Sequence, residues 1–235
     1  MKMILQKIIA QSGYSSRRKA EELIRAGRVK VNDQVVTVGQ LADDKKDKVT
    51  IDGQPISRAP EKIYLKLNKP PGYTCTNRHF AGEKNIFDLI KTPERLFAVG
   101  RLDKESRGLV LLTNDGDLTQ RLSHPKFEHE KIYEVKIEGS VRPDLIINKM
   151  LKGIDIGEDD GLVRVKNIQY LQNNLFVITL NEGRKRQIRR MFNILDLEVN
   201  DLKRIKLASL NLENLKEGHW AYLTSEEINK LKINK

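Results

Sequence analysis

The stretch Val99-Gly-Arg-Leu-Asp-Lys-Glu-Ser-Arg-Gly-Leu-Val-Leu-Leu-Thr-Asn-Asp-Gly116 sets the frame for the rest of the chain. Gly100 and Gly108 bracket a polar turn that holds Asp103, and the apolar run Leu109 to Leu112 directly behind it predicts a buried strand. A helical stretch is expected at 115–122. Outward from there, apolar runs at 132–137, 162–168 and 175–180 alternate with helical periodicity near 142–152, 184–195 and 225–233. That alternation predicts an α+β domain. It starts with a strand at Ile63 to Leu67, just after the polar, Pro-containing link Ile-Ser-Arg-Ala-Pro-Glu at 56–61. The expected division is therefore a small domain over 1–60 and a larger one over 61–235.

The balance of 43 Lys+Arg against 32 Asp+Glu gives a formal net charge of +11, which calls for a polyanionic partner. Its distribution is uneven. Residues 1–30 hold eight basic residues (Lys2, Lys7, Arg17, Arg18, Lys19, Arg25, Arg28 and Lys30) against Glu21 and Glu22, so over half of the excess lies there. No apolar stretch approaches the roughly 18 residues of a spanning helix, and no secretory cleavage pattern follows the first ten residues. Cys75 is the single cysteine, which excludes an internal disulfide and a cysteine-rich zinc site and fits a reducing compartment. The expectation is a soluble cytoplasmic protein without a membrane partner. No Gly-rich phosphate-binding motif is present.

Within the first sixty residues the pattern predicts two helices, Met3 to Gln11 and a second capped by Ser15 and running to Ala26, with Gly27 as its stop. A hairpin turning at Asn32-Asp33 between Val29/Val31 and Val36/Val38 follows, then a strand at Val49 and Ile51. The run from Gly13 to Asn32 resembles the S4 RNA-binding domain. That resemblance implies a basic face for structured RNA, composed of Arg17, Arg18, Lys19, Arg28 and Lys30.

Two further segments of the larger domain carry chemistry-bearing side chains. Glu130 to Glu138 alternates so that Tyr133 shares a face with Val135 and Ile137. Asn181-Glu-Gly-Arg-Lys-Arg-Gln-Ile-Arg-Arg-Met-Phe192 predicts a helix anchored by Ile188, Met191, Phe192 and Leu195, with Arg186, Arg189 and Arg190 on the other side. Singly, each has a plain structural explanation: a turn aspartate, a core tyrosine, a solvated face. Together, Gly100-Arg-Leu-Asp103 with Ser106, Gly108 and Leu109, Lys131-Ile-Tyr133, Gly183 to Arg190, and Lys69-Pro-Pro-Gly72 resemble the RsuA-type ribosomal RNA pseudouridine synthases. Lys185 departs from the family pattern, where asparagine is more usual.

The resemblance implies a mixed, largely antiparallel sheet and an isomerase that converts uridine to pseudouridine in ribosomal RNA. The Lys69 to Thr76 and Leu118 to Pro125 segments are closer to members acting on the large subunit. It implies Asp103 as the catalytic carboxylate, Tyr133 as a platform for the flipped base that also assists at C5, and Arg189 as the partner of Asp103. Arg101, Arg186 and Arg190 would contact substrate and Leu180 would line the pocket. No cofactor or metal is expected; the partner would be ribosomal RNA or a pre-ribosomal particle, met by a monomer. Asp103 could attack the ribose or take a proton from C2′. The competing readings are a non-catalytic S4-type RNA-binding or ribosome-assembly protein, and a synthase acting on transfer RNA.

Overall fold

A computed structural model describes residues 2–57, 59–157 and 160–233. Arg58 of the predicted link lies outside the described residues. The chain forms two compact units: Met1–Lys62 with the short pieces Thr92–Leu96 and Asn114–Gly116, and the remainder from Ile63 to Lys235. Among the described residues no helix is long and apolar enough to cross a membrane.

In the first unit, Ser16 caps the helix Arg17–Arg25 by accepting a bond from the Lys19 amide at 3.1 Å. The sequence placed this cap one residue earlier, at Ser15. Ala20, Leu23 and Ile24 are buried together with Leu5, Ile8 and Ile9 of the preceding helix, so a single small core holds both. That preceding helix spans Leu5–Gln11, shorter than predicted, because Lys2–Ile4 instead forms a strand antiparallel to Leu41–Asp43. Asn32 and Asp33, both with positive φ, turn the hairpin between Val29–Val31 and Gln34–Val35, and Val49–Ile51 pairs on the other side.

The second unit is built on a nine-stranded sheet. Its spatial order is Asn167–Tyr170, Leu175–Leu180, Lys131–Ile137, Val199–Leu207, Arg107–Thr113, Tyr64–Lys69 and Trp220–Tyr222, with Phe97–Val99 and Leu210–Asn211 pairing at its sides. Every pairing in it is antiparallel except one, so the mixed, largely antiparallel sheet is present. Leu109 and Leu111 pack with Leu118, Leu122, Leu207 and Leu231 on one side, while Val110 and Leu112 are buried on the other. The strand is covered on both faces, which explains its unbroken apolar run.

Three sequence expectations are corrected here. The run at 162–168 is interrupted, giving Leu162–Val163 and Asn167–Tyr170 as separate strands. The helix expected over 184–195 contracts to Gln187–Asn193, because Arg186 is left-handed (φ 51°) and ends the preceding turn. Val199–Leu207, at the centre of the sheet, was not anticipated: its charged residues at 201, 203, 204 and 206 hide the apolar alternation.

The exceptional parallel pairing joins Arg107–Thr113 to Val199–Leu207 through Arg107 opposite Lys203 and Gly108 opposite Arg204. Gly108 has a φ of +105°, and a Cβ there would lie 2.3 Å from the Arg204 carbonyl oxygen. Only glycine allows the two backbones to meet at that spacing. Gly108→Ala should destabilise the second unit by roughly 3 kcal/mol through strain and forced separation. Denaturant unfolding checks this, and an unchanged midpoint would contradict the assignment of close approach.

Candidate active site

The loop that follows Gly100 is shaped by a buried ammonium. Lys69 is fully buried, and its Nζ donates to the carbonyls of Pro70 (3.1 Å), Lys104 (3.2 Å) and Ser106 (2.5 Å). The Gly72 amide donates to the Lys104 carbonyl at 2.7 Å, and the Ser106 amide closes the turn onto the Asp103 carbonyl at 3.1 Å. The Lys69-Pro-Pro-Gly72 segment is therefore a brace for the loop carrying Asp103. Burial lowers the Lys69 pKa, opposed by the charges of Cys75, Glu105 and Asp103. Asp103 itself is half-buried, and its carboxylate accepts no hydrogen bond among the described residues.

Tyr133 is 8% exposed on the strand Lys131–Ile137. The register shifts between Ile132 and Tyr133, so Tyr133 faces Arg204 on one neighbouring strand and Ile178 on the other. Such a bulge re-aims the side chains beside it. Behind this sheet region the helix Gln187–Asn193 is anchored by Ile188, Met191 and Phe192, the Phe192 ring lying 5.8 Å from that of Phe176. Gln187 is buried and locks the approach turn, donating to Glu182 Oε1 at 3.0 Å while accepting from the Arg184 amide at 3.0 Å.

These elements enclose one cavity of about 660 Å³. Asp103, Tyr133, Arg101, Leu180 and Arg186 all line it. Arg186 is held by Glu105 at 2.9 Å on the exposed rim. Arg189 and Arg190 are not in its wall. Arg190 is committed elsewhere, donating to Asp160 Oδ2 at 2.6 Å and to the carbonyls of Ile156 and Gly157. Arg189 makes no ion pair with Asp103 among the described residues. Its guanidinium donates to the Val199 carbonyl at 2.9 Å and to Ser106 Oγ at 3.5 Å, tying its helix to the base of the Asp103 loop. Burial lowers the Arg189 pKa, Arg186 adds to this, and the charges of Glu105 and Asp103 oppose it.

Among the lining residues not singled out from sequence as site residues are Lys131, His129 and Arg204. Lys131 was quoted only as part of a motif; burial and the field of Arg204 lower its pKa. His129 is buried with its Nε2 unpartnered. Arg204 lies in the strand that sequence periodicity did not reveal. With Arg101, Lys104, Arg184 and Lys185, Lys131 and Arg204 make a strongly cationic wall around Asp103 and Glu182. Such a cavity attracts a polyanion and excludes water once filled, which suits a nucleotide unit drawn out of an RNA chain.

In the first unit, Arg17, Arg18 and Lys19 are exposed on their helix, Lys19 sharing an ion pair with Glu22. Lys30 is exposed as well, whereas Arg28 forms a two-pronged pair with Asp52 at 2.8 and 2.5 Å.

Burial lowers the pKa of His129 from the ordinary histidine value of about 6.5, with Lys131 adding to the effect and the Arg121 backbone opposing it. The fold favours the neutral ring, so this contribution is complete above the unfolded value and is lost as pH falls through it towards the folded value. Thermal unfolding between pH 7 and 5 should decline less steeply in His129→Gln than in the unaltered protein, and parallel curves would refute the contribution.

Comparison with known proteins bears on the same regions. The RNA pseudouridylate synthase family model matches residues 63–193, and the S4 domain model matches residues 5–47. The chain is 39% identical over 97% of its length to ribosomal large subunit pseudouridine synthase B of Bacillus subtilis (strain 168), covering 95% of that protein. It is 36% identical to the protein of the same name from Vibrio vulnificus (strain CMCP6), over 97% of this chain and 74% of the relative. A crystal structure of a pseudouridylate synthase superposes with a TM-score of 0.71 at 31% identity, covering 97% of this chain and 99% of that one.

Proposed function

The chain belongs to the RNA pseudouridylate synthase family and is an isomerase, and we propose that it converts uridine to pseudouridine in large-subunit ribosomal RNA with Asp103 as the catalytic carboxylate. The observation that carries the site assignment is the convergence of Asp103 and Tyr133, from separate segments, on one cationic cavity. Binding alone would not demand a carboxylate there. The substrate assignment is supported by the relatives from Bacillus subtilis and Vibrio vulnificus, both named for the large ribosomal subunit.

The reaction breaks the N1–C1′ bond, turns the uracil over and joins C5 to C1′, so it needs a carboxylate beside the sugar and a surface that retains the detached base. Flipping the nucleotide costs a few kcal/mol, least in a loop or bulge, and stacking on an aromatic ring returns roughly 1–3 kcal/mol. Tyr133 supplies that ring at the cavity wall, with Leu180 beside it on the neighbouring strand. Asp103 either bonds to C1′ or takes the C2′ proton. Arg189 acts as a positioning residue: through Ser106 it fixes the loop, and its charge offsets the desolvation of Asp103 when a base fills the cavity. Arg101 and Arg186 hold the RNA at the rim, where both are exposed to phosphate and Arg186 is positioned by its pair with Glu105. Arg190, tied to Asp160, supports this wall from behind. In this scheme the first unit adds RNA affinity through Arg17, Arg18, Lys19 and Lys30, with Arg28 holding the hairpin to Asp52.

Pseudouridine mapping of large-subunit ribosomal RNA from cells lacking the protein should show one or a few missing sites, restored by the unaltered chain and not by Asp103→Asn. Restoration by Asp103→Asn would refute the catalytic assignment, and an unchanged map would refute the substrate. A second expectation separates the units. Replacing Arg17, Arg18 and Lys19 with alanine should weaken binding and lower the salt dependence by up to about 0.9 log units per lost contact, with the saturated rate kept. Arg189→Ala should instead lower the saturated single-turnover rate. The reverse pattern would require the roles to be reassigned.

A further inference from the structure

Arg204 has no part in the scheme above, yet it is the largest side chain that the fold buries completely, at 1% exposure. Its Nε donates to the Leu109 carbonyl at 2.8 Å. Its Nη2 is buried with no hydrogen-bond partner, and no carboxylate pairs with its guanidinium among the described residues. A buried cation left without an anion is strongly unfavourable. Here the surroundings make it more so, since Lys131 stands close enough to feel its charge.

The position of this unmet group is specific. Arg204 lies directly opposite Tyr133 in the strand register, and directly opposed residues of an antiparallel pair project from the same face. Both line the cavity, and Arg204 Nη1 sits 3.9 Å from the place a Cβ of Gly100 would occupy, at the start of the Asp103 loop. A planar fork of donors thus lies between the aromatic platform and the catalytic loop.

We propose that Arg204 donates a hydrogen bond from its free nitrogen to a carbonyl oxygen of the flipped uracil and stabilises the negative charge that the base acquires when its glycosidic bond breaks. The inference rests on the reading of this cavity as the base pocket. In the step concerned, the electron pair of the N1–C1′ bond leaves with N1 and spreads onto O2 and O4. The deficit at C1′ is met either by an electron pair from the Asp103 carboxylate or by the C2′–H pair, with that proton passing to Asp103. On either route the detached uracil is an anion, and a desolvated, fixed cation at its carbonyl edge stabilises it most at the moment of cleavage. The ligand that completes the Arg204 pairing is thus the leaving base, and the cavity is cationic at its floor as well as at its rim.

The test uses the full-length protein and an RNA fragment spanning the mapped site, with uridine, 2-thiouridine or 4-thiouridine at the target. Cleavage of the glycosidic bond is followed in single turnover at saturating protein. Arg204→Gln should reduce this rate roughly 100- to 1,000-fold while RNA affinity and its salt slope stay unchanged. Sulfur at the contacted carbonyl should slow the unaltered enzyme and have little or no further effect on Arg204→Gln. If the sulfur effect is the same in both proteins, Arg204 does not touch that edge and serves the fold alone. A change in salt slope without a change in saturated rate would make it a phosphate ligand and overturn the proposal. Should Arg204→Gln fail to fold, Arg204→Lys is compared in its place, and an undiminished sulfur effect in it is equally decisive. An unaltered enzyme that forms no pseudouridine on any ribosomal RNA would instead refute the functional reading on which this rests.

Discussion

The backbone of Gly108 passes so close to the backbone of Arg204 that no side chain fits between them, and the placement of the elements that line the candidate site depends on this contact. It forms the single parallel pairing of a sheet that is otherwise antiparallel. On one side of it stand Arg107–Thr113 and Tyr64–Lys69, which carry the Asp103 loop and its Lys69 brace. On the other stand Val199–Leu207 and Lys131–Ile137, which carry Arg204 and Tyr133. A longer separation at this seam would move the carboxylate away from the aromatic ring, and effective catalysis by positioned groups tolerates little of that. The glycine is thus a requirement of the site imposed through the fold.

Around this seam the chain buries several cations and treats each differently. Lys69 is satisfied by three carbonyls, so its charge is converted into the shape of a loop. Arg190 is satisfied by Asp160 and two carbonyls and holds Ile156, Gly157 and Asp160 to the helix. Arg189 is satisfied in part, bonding to Val199 and Ser106 while its Nε stays buried and unpartnered. Arg204 has one bond and an orphaned nitrogen. The order runs from groups that build the wall to groups whose charge remains available inside it. Charge that has not been cancelled within the protein is what a polyanionic substrate can use, and burial makes it stronger than the same charge in water.

The family and the enzyme class were legible in the sequence because motifs carry them. Gly100 to Asp103, Lys131 to Tyr133 and Gly183 to Arg190 are short, contiguous and chemically unusual, and the family match over 63–193 agrees with them. The S4 resemblance of residues 13–32 likewise agrees with the domain match at 5–47. The fold class and most helices followed from periodicity. The strand Val199–Leu207 did not, because an alternation signal requires polar residues to point outward, and here Arg204 points into a polar interior. Missing that strand also meant missing Arg204. Lys69 was quoted as part of a motif without a role, since a lysine in sequence gives no sign that three backbone carbonyls will enclose it. The pairing expected between Arg189 and Asp103 illustrates the same limit: the family resemblance implied a guanidinium beside a carboxylate, but its hydrogen-bond partners are set by the tertiary positions of Val199 and Ser106.

The basic residues of the two units therefore do different physical work. In the first unit Arg17, Arg18, Lys19 and Lys30 lie on exposed helix and strand positions, where water screens them and where, under the proposed function, each is one counter-charge to a phosphate. Arg28 is an instructive exception, since its pair with Asp52 turns a predicted contact with RNA into a staple between the end of a helix and a hairpin. In the second unit a subset of the cations, Lys131 and Arg204 among them, line a cavity where screening is weak and geometry is fixed by strands. Exposed charge gives affinity without regard to which nucleotide is bound, while buried charge distinguishes a base from water and one electronic state of that base from another. The basic side chains thus form two populations, and under the proposed function the smaller, buried one is placed to respond to an anion formed during the reaction.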